Sequence, residues 1–184
     1  KKWTPNSVVV ITGAGSGIGR SVALRYARRK CRLVLADIVP QSLSSVIDDC
    51  QRFGSQAIAA PTDCTKSSEC EALINTAVTK FGGIDVLVLC AGVGAHHIFE
   101  ESSKDLGVFK KLMDVNFYGY LYPTYHAFHH LCKSKGVLVA ITSFSGEVGL
   151  PYRTAYCASK FAATGFLEAL RAELRERNLN GMCV

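Results

Sequence analysis

Thr12-Gly13-Ala14-Gly15-Ser16-Gly17-Ile18-Gly19 is the stretch of this 184-residue chain that decides its fold. An apolar run, Ser7–Thr12, leads into it, and a segment of helical period, Ile18–Lys30, follows at once. Glycine allows a sharp turn between a strand and a helix and lets an anion approach the backbone closely. The free N–H groups and positive dipole end of the helix then favour a pyrophosphate. The residues predicted to bind a dinucleotide here are Gly13, Gly15, Ser16, Gly17, Ile18 and Gly19.

Short β-branched runs and longer helical stretches alternate along the whole chain, which is typical of a parallel sheet covered on both faces. The predicted strands are Ser7–Thr12, Arg32–Asp37, Gln56–Pro61, Val86–Cys90 and Val137–Ser143, with Gly181–Val184 as the start of a sixth. The predicted helices are Ile18–Lys30, Gln41–Phe53, Ser67–Phe81 (with Ser67 as its cap), Asp105–Lys133 and Thr154–Arg177. We therefore predict an α/β fold: a doubly wound, Rossmann-like parallel sheet with helices on both faces, truncated in the sixth strand.

An acidic residue, Asp37, ends the second predicted strand. It follows the glycine loop at roughly the ~20-residue offset at which a carboxylate binds the adenosine ribose of a dinucleotide. Its charge would repel a 2′-phosphate, so the sequence favours NAD(H), with NADP(H) as the alternative. Arg20 and Arg32 are basic residues whose proximity to the ribose would weaken this preference.

Tyr156 and Lys160 stand at positions i and i+4 of the last predicted helix, so their side chains share one helix face. An ammonium near a phenol favours the phenolate, which can exchange a proton with an alcohol. Taken alone, such a pair is more often a surface feature. A hydroxyl from Thr142, Ser143 or Ser145, just after the fifth strand, would hydrogen-bond a substrate oxygen as charge develops on it.

The glycine loop and the Tyr156–Lys160 pair, in this order, resemble the T-G-x-x-x-G-x-G and Y-x-x-x-K motifs of the short-chain dehydrogenases/reductases. The resemblance covers the chain from Val8 to Val184 and is nearest to hydroxysteroid-type members. It implies an oxidoreductase that transfers a hydride between NAD(H) and a secondary alcohol or ketone, with Tyr156 as general acid and base. It also selects one serine among the three hydroxyls. The implied catalytic residues are Asn116, Ser143, Tyr156 and Lys160.

The same resemblance implies further cofactor contacts. Asp63 would hydrogen-bond the adenine beside Cys64, although a turn or helix-capping carboxylate is an equal alternative for Asp63. Leu89-Cys90-Ala91-Gly92 stands where the family usually has Asn-Asn-Ala-Gly, and Ala91 and Gly92 still let the backbone pass close to the cofactor. Tyr156 and Lys160 would also contact the cofactor, the lysine at the nicotinamide ribose.

Asn116 lies inside the long predicted helix, where an asparagine is mildly unfavourable. From the residue alone, it is a solvent-facing or back-bonding amide. The resemblance instead implies that Asn116 distorts its helix and supports a proton relay to Lys160.

Composition narrows the remaining classes of function. The formal charge of +6 comes from scattered basic residues without a basic stripe interleaved with aromatics, so nucleic-acid binding is not expected. His126 and His130 have the spacing of a zinc pair but no acidic or cysteine partner, and no metal site is predicted. The eight cysteines show no C-x-x-C spacing, which favours reduced thiols in the cytoplasm or another reducing intracellular compartment.

The chain contains no apolar run long enough to span a bilayer, and an anchor upstream of Lys1 remains compatible with the sequence. We expect residues 1–184 to form a single dinucleotide-binding and catalytic domain that lacks the C-terminal substrate-covering portion of the family. The resemblance implies a homodimer or homotetramer. The alternative function is a catalytically silent NAD(P)-binding sensor or scaffold of the same fold.

Overall fold

Five parallel strands form the centre of the structure, a computed structural model that describes residues 3–102 and 106–177. The strands are β1 Val8–Thr12, β2 Arg32–Ala36, β3 Ala57–Ala59, β4 Val86–Leu89 and β5 Val137–Ala140. Their order across the sheet is β3-β2-β1-β4-β5, and every neighbouring pair is parallel. The predicted doubly wound sheet is confirmed, with several strands ending earlier than predicted. The sixth strand predicted at Gly181–Val184 lies outside the described residues.

The helices follow the strands in alternation. They are α1 Gly17–Ala27, α2 Pro40–Arg52, α3 Ser67–Phe81, α4 Phe99–Ser102, α5 Gly107–Met113, α6 Gly119–Ser134 and α7 Thr154–Glu176. A π-helical segment, Asp114–Tyr118, joins α5 to α6, and a 3₁₀ turn, Phe144–Gly146, follows β5. Within the described ranges, no helix is long and apolar enough to cross a membrane.

Helices bury both faces of the sheet, and successive strand side chains point to opposite faces. Val9 and Ile11 of β1 pack into a core with α1 and α2. Val8 and Val10 of the same strand pack into a second core, which contains residues of α3, α6 and α7. Four consecutive apolar residues in one strand therefore hold two helical layers against the sheet, as predicted.

Two local expectations differ from the structure. Lys66, not Ser67, precedes the first turn of α3, and Ser67 is the first helical residue, so the predicted serine cap is wrong. The Ser67 hydroxyl instead hydrogen-bonds His126 Nε2 of α6 at 3.0 Å. The single long helix predicted from Asp105 is divided by the π-helical segment, and Asp105 itself lies outside the described residues.

Candidate active site

The carboxyl ends of β1, β2 and β4 border a cleft of about 520 Å³. It lies where the strand order reverses, because β1 pairs with β2 on one side and with β4 on the other. Ligands of doubly wound sheets bind at this position. The predicted cofactor residues that line it are Gly13, Ser16, Gly17, Ile18, Gly19, Asp37, Asp63, Cys64, Ala91 and Gly92. Lining residues that the sequence analysis did not select are Ile38, Thr62, Thr65, Cys90, Val93, Lys111 and Val115.

Backbone N–H groups hold both oxygens of the Asp37 carboxylate at the end of β2. Oδ2 accepts from the Gly15 N–H at 2.9 Å, and Oδ1 accepts from the Val39 N–H at 3.0 Å. Gly15 thus fixes the carboxylate, and it is not among the described residues that line the cleft. The negative charge of Asp37 is held in place at the cleft wall.

The two arginines considered near Asp37 are engaged elsewhere. Arg20 forms an ion pair with Asp49 of α2, with 2.7 Å between Nη2 and Oδ2. Arg32 is the first residue of β2, so it lies at the amino end of the strand, away from the cleft at the carboxyl end. It donates to the carbonyl of Asn6. The expectation that these arginines weaken the effect of the Asp37 charge therefore has no support from their contacts.

Asp63 lines the cleft, and it is also the turn carboxylate that the sequence offered as one alternative, since it accepts hydrogen bonds within a turn before α3. Its Oδ1 accepts from the Thr65 N–H at 3.0 Å and from the Thr65 hydroxyl at 2.7 Å. Burial works to raise the pKa of Asp63, but these hydrogen bonds and the nearby Lys66 ammonium outweigh it and lower the pKa. Asp63 is therefore an ionised, oriented acceptor.

Asn116 lies in the middle of the π-helical segment and is fully buried. Its Oδ1 accepts from the Val93 N–H at 2.9 Å, and its Nδ2 donates to the Val93 carbonyl at 2.9 Å. Nδ2 also donates to Ser159 Oγ of α7 at 3.0 Å. The amide is neither solvent-facing nor bonded back to its own helix. It joins the segment after β4 to the first turns of α7, and the helix distortion implied by the resemblance is present at this residue.

Lys160 is a buried cation, only 4% exposed. Its Nζ donates to the carbonyl of Ile141 at 3.0 Å and to the hydroxyl of Tyr120 at 3.4 Å. Burial lowers the pKa of Lys160, because a desolvated ammonium is less stable than a hydrated one. Among the described residues, no carboxylate pairs with this lysine.

Two cations lie near the Tyr156 ring, namely Lys160 of α7 and Arg153, the residue that precedes α7. Lys160 Nζ is 6.0 Å from the ring centroid, and the Arg153 guanidinium carbon is 5.5 Å from it. The predicted proximity of Tyr156 and Lys160 is thus observed. Among the described residues, no partner hydrogen-bonds the Tyr156 hydroxyl, while Ser143 Oγ accepts from the Ser145 N–H at 3.2 Å. The structure therefore does not hydrogen-bond the hydroxyls of Ser143 and Tyr156 to each other.

The backbone at Gly92 separates the cleft from the buried lysine and asparagine. A Cβ placed on Gly92 would lie 3.3 Å from Asn116 Oδ1 and 4.0 Å from Lys160 Nζ. Gly92 itself lines the cleft, whereas Tyr156 and Lys160 are not among its described lining residues. The predicted dinucleotide and catalytic residues are thus adjacent across one residue of backbone.

Several supporting residues lie outside the sequence motifs. Ser159 accepts from Asn116, and its hydroxyl donates to the Tyr156 carbonyl at 2.8 Å. Tyr120 follows Asn116 across the π-helical segment, and Arg153 precedes the first helical residue of α7, so regular helical spacing does not select either of them. Thr12 gives no local signal either. Its hydroxyl accepts from backbone N–H groups after β4, a contact between residues far apart in the chain.

A family model for short chain dehydrogenase matches residues 7–184. The chain belongs to the short-chain dehydrogenase family. An 11-beta-hydroxysteroid dehydrogenase of Pinus massoniana is 36% identical over 168 residues, which cover 91% of this chain and 47% of the relative. The 11-beta-hydroxysteroid dehydrogenase-like 3 protein of Arabidopsis thaliana is 40% identical over 168 residues, 91% of this chain and 54% of the relative. This short-chain dehydrogenase is hydroxysteroid-dehydrogenase-like, and it spans about half the length of these curated relatives.

Solved structures of the family share this fold. A short-chain dehydrogenase/reductase of Burkholderia phymatum, solved in complex with NAD, matches with a TM-score of 0.88 and 30% identity, covering 96% of this chain and 63% of that one. A short-chain type dehydrogenase/reductase of Mycobacterium marinum matches with a TM-score of 0.86 and 26% identity. The match covers 92% of this chain and 70% of that one. These similarities confirm the predicted fold class.

Proposed function

We propose that the full-length protein is an NAD(H)-dependent oxidoreductase that interconverts a secondary alcohol and a ketone, with Tyr156 as general acid and base. The observation that carries the proposal is the position of the Lys160 ammonium. It lies 6.0 Å from the centre of the Tyr156 ring, and it would be 4.0 Å from a Cβ on Gly92, at the wall of the cleft. A single buried cation is therefore adjacent both to the phenol and to the dinucleotide site.

The cleft has the features that a nicotinamide dinucleotide requires. Gly17 begins α1, and nothing lies within 4 Å of the position that a Cβ there would take, so a phosphate has open space beside a helix N-terminus. Asp37 presents a fixed carboxylate for the adenosine ribose, and Asp63 an oriented acceptor near the adenine. When bound, the nicotinamide supplies the acceptor or the donor of the hydride.

The protein groups handle the proton and the substrate oxygen. In oxidation the Tyr156 phenolate takes the hydroxyl proton of the alcohol, and in reduction the Tyr156 hydroxyl donates its proton to the carbonyl oxygen. The Lys160 ammonium stabilises the phenolate form. Ser143 Oγ already accepts a hydrogen bond, which leaves its own O–H to donate to the substrate oxygen. Asn116 links Val93, the neighbour of Gly92 in the chain, to Ser159, the neighbour of Lys160.

A secondary alcohol on an apolar skeleton is the substrate class that we propose. Exposed apolar side chains follow Ser143 and precede Tyr156 in the chain, namely Phe144, Val148 and Tyr152. Ile98 and Phe99, exposed as well, follow β4. The hydroxysteroid dehydrogenase names of the curated relatives support this assignment.

We further propose that residues 1–184 act as one dinucleotide-binding and catalytic unit that forms a homodimer or homotetramer. The outer surface of α7 supports self-association, since Phe161 is exposed there. Leu167 of α7 is instead buried in the core against the sheet.

Cofactor preference gives a direct prediction. Asp37→Asn removes the charge that repels a 2′-phosphate but keeps an oxygen that can accept from Gly15. We expect the ratio of NADPH to NADH affinity to rise about fivefold or more, since even partly screened like charges repel by about 1 kcal/mol or more. Fluorescence titrations of both cofactors measure this ratio. Asp48→Asn removes one carboxylate from α2, outside the described residues that line the cleft, and is the charge-matched control. An unchanged ratio would reject Asp37 as the ribose ligand.

Turnover tests the function as a whole. The full-length protein is incubated with NAD and a panel of secondary alcohols that includes hydroxysteroids, and formation of NADH is followed by absorbance. We expect turnover of at least one apolar secondary alcohol. Binding of NADH together with no turnover of any alcohol or ketone in the panel would instead support the sensor or scaffold function.

A further inference from the structure

Tyr120 is a buried tyrosine that neither the motifs nor the proposed reaction explains. It lies on α6, one turn after Asn116, and is 1% exposed. Its hydroxyl donates to the carbonyl of Ile141 at 2.6 Å. That carbonyl immediately follows β5 and precedes the segment that contains Ser143.

The carbonyl of Ile141 is shared between Tyr120 and Lys160. Lys160 Nζ donates to it at 3.0 Å and also to the Tyr120 hydroxyl at 3.4 Å, so these groups form a closed triangle. Nζ also lies 5.1 Å from the centre of the Tyr120 ring, close enough for a cation–π contact. The triangle connects α6, the end of β5 and α7, and it contains no charge other than the ammonium.

We propose that Tyr120 is a positioning residue that holds the Lys160 ammonium in place for Tyr156. This inference rests on the proposed function. A lysine ammonium has three N–H donors, and the triangle engages two of them. The third then points away from Tyr120 and Ile141, and the ammonium stays next to both the Tyr156 ring and the wall of the cleft at Gly92.

The electrostatic surroundings make a neutral phenol the suitable partner. Burial raises the pKa of Tyr120 well above its usual value, and the neighbouring thiols of Cys90 and Cys64 and the phenol of Tyr156 act in the same direction. Tyr120 therefore stays protonated and acts as an acceptor for the ammonium. Arg153, which lies over the Tyr156 ring, is the other nearby cation.

Removing the Tyr120 hydroxyl would withdraw a hydrogen bond from the charged form of Lys160. Because burial already lowers the pKa of Lys160, the loss of an acceptor lowers it further. The ammonium is the form that stabilises the phenolate. The basic limb of the pH–rate profile for alcohol oxidation should therefore begin at a lower pH in such a variant.

The experiment compares Tyr120→Phe with the wild type in the full-length protein. We expect kcat for alcohol oxidation at neutral pH to fall about tenfold, as for the loss of one hydrogen bond to a charged group. We also expect the basic limb to move to lower pH, while KM for the alcohol and Kd for NADH stay unchanged. Tyr125→Phe, on the same helix and largely exposed, is the matched control and should keep the wild-type profile.

A lower melting temperature with an unshifted pH profile would mean that Tyr120 is only structural, and it would overturn the inference. If Tyr120→Phe does not fold, 3-fluorotyrosine placed at position 120 keeps the shape and hydroxyl but weakens the acceptor. A basic limb displaced in the same direction by a smaller amount supports the inference, and an undisplaced limb overturns it. An active Tyr156→Phe variant would contradict the proposed function itself, whereas the Tyr120 variants test only the role of Tyr120. The two failures are therefore distinguishable.

Discussion

Tyr156→Phe is expected to reduce alcohol oxidation by the full-length protein about a thousandfold, the range of effects measured for a general acid or base. The phenol is the group placed to receive the proton of the alcohol. Among the described residues, no group hydrogen-bonds the Tyr156 hydroxyl, and Lys160 and Arg153 both lie near the ring. Phenylalanine preserves the ring and its contacts with both cations, so the loss should appear in kcat. The affinity for NADH should change little.

Tyr125→Phe again provides the comparison, because it removes a hydroxyl from an exposed tyrosine of α6 without touching the cleft. Steady-state rates and NADH titrations of the two variants separate loss of chemistry from loss of fold. A Tyr156→Phe enzyme that keeps a tenth or more of the wild-type rate would mean that another group carries the proton. Ser143, whose O–H is also available, would then be the next residue to test.

The architecture could be predicted because it depends on local patterns. Each apolar run of the sheet predicts a strand without information from the rest of the chain. In β1, consecutive residues from Val8 to Ile11 pack alternately into the two cores. The positions of Asp37 and Gly92 at the cleft follow from the rule that segments after parallel strands meet at one edge. The Tyr156–Lys160 contact follows from helical spacing alone.

The connections among the catalytic residues could not be predicted in the same way. A π-helical turn at Asp114–Tyr118 changes which side chains face α7, and helical periodicity gives no sign of it. The triangle of Tyr120, Ile141 and Lys160 depends on three elements meeting in space. The family resemblance selected Asn116, but its bonds to Val93 and Ser159 became visible only in the structure.

Charged residues show the same limit. Arg20 stands just after the glycine loop and from the sequence is expected to weaken the cofactor preference set by Asp37, yet its guanidinium pairs with Asp49 of α2. Ser67 is a residue type that often caps helices, yet its hydroxyl hydrogen-bonds His126 because α6 packs against α3. In both cases a tertiary partner competes with the local role, and only the folded chain decides between them.

Gly17→Ala is expected to weaken NADH binding about a hundredfold, which corresponds to ~2.7 kcal/mol. Gly17 has a φ of +51°, and the space next to it is open and belongs to the cleft. An added methyl group would therefore project into the volume proposed for the cofactor phosphates. It would also strain the backbone, since a left-handed conformation costs an L-residue ~1 kcal/mol.

Gly82→Ala separates these two effects. Gly82 caps the end of α3 with a φ of +85°, and it too has nothing within 4 Å of an added Cβ. The two variants thus share the backbone strain and should lose similar stability in thermal unfolding, but Gly82 is not among the residues that line the cleft. NADH titration should show wild-type affinity for Gly82→Ala and a large loss for Gly17→Ala. Equal affinities would mean that the glycine loop does not hold the cofactor phosphates, because strain alone would then explain everything that Gly17→Ala does.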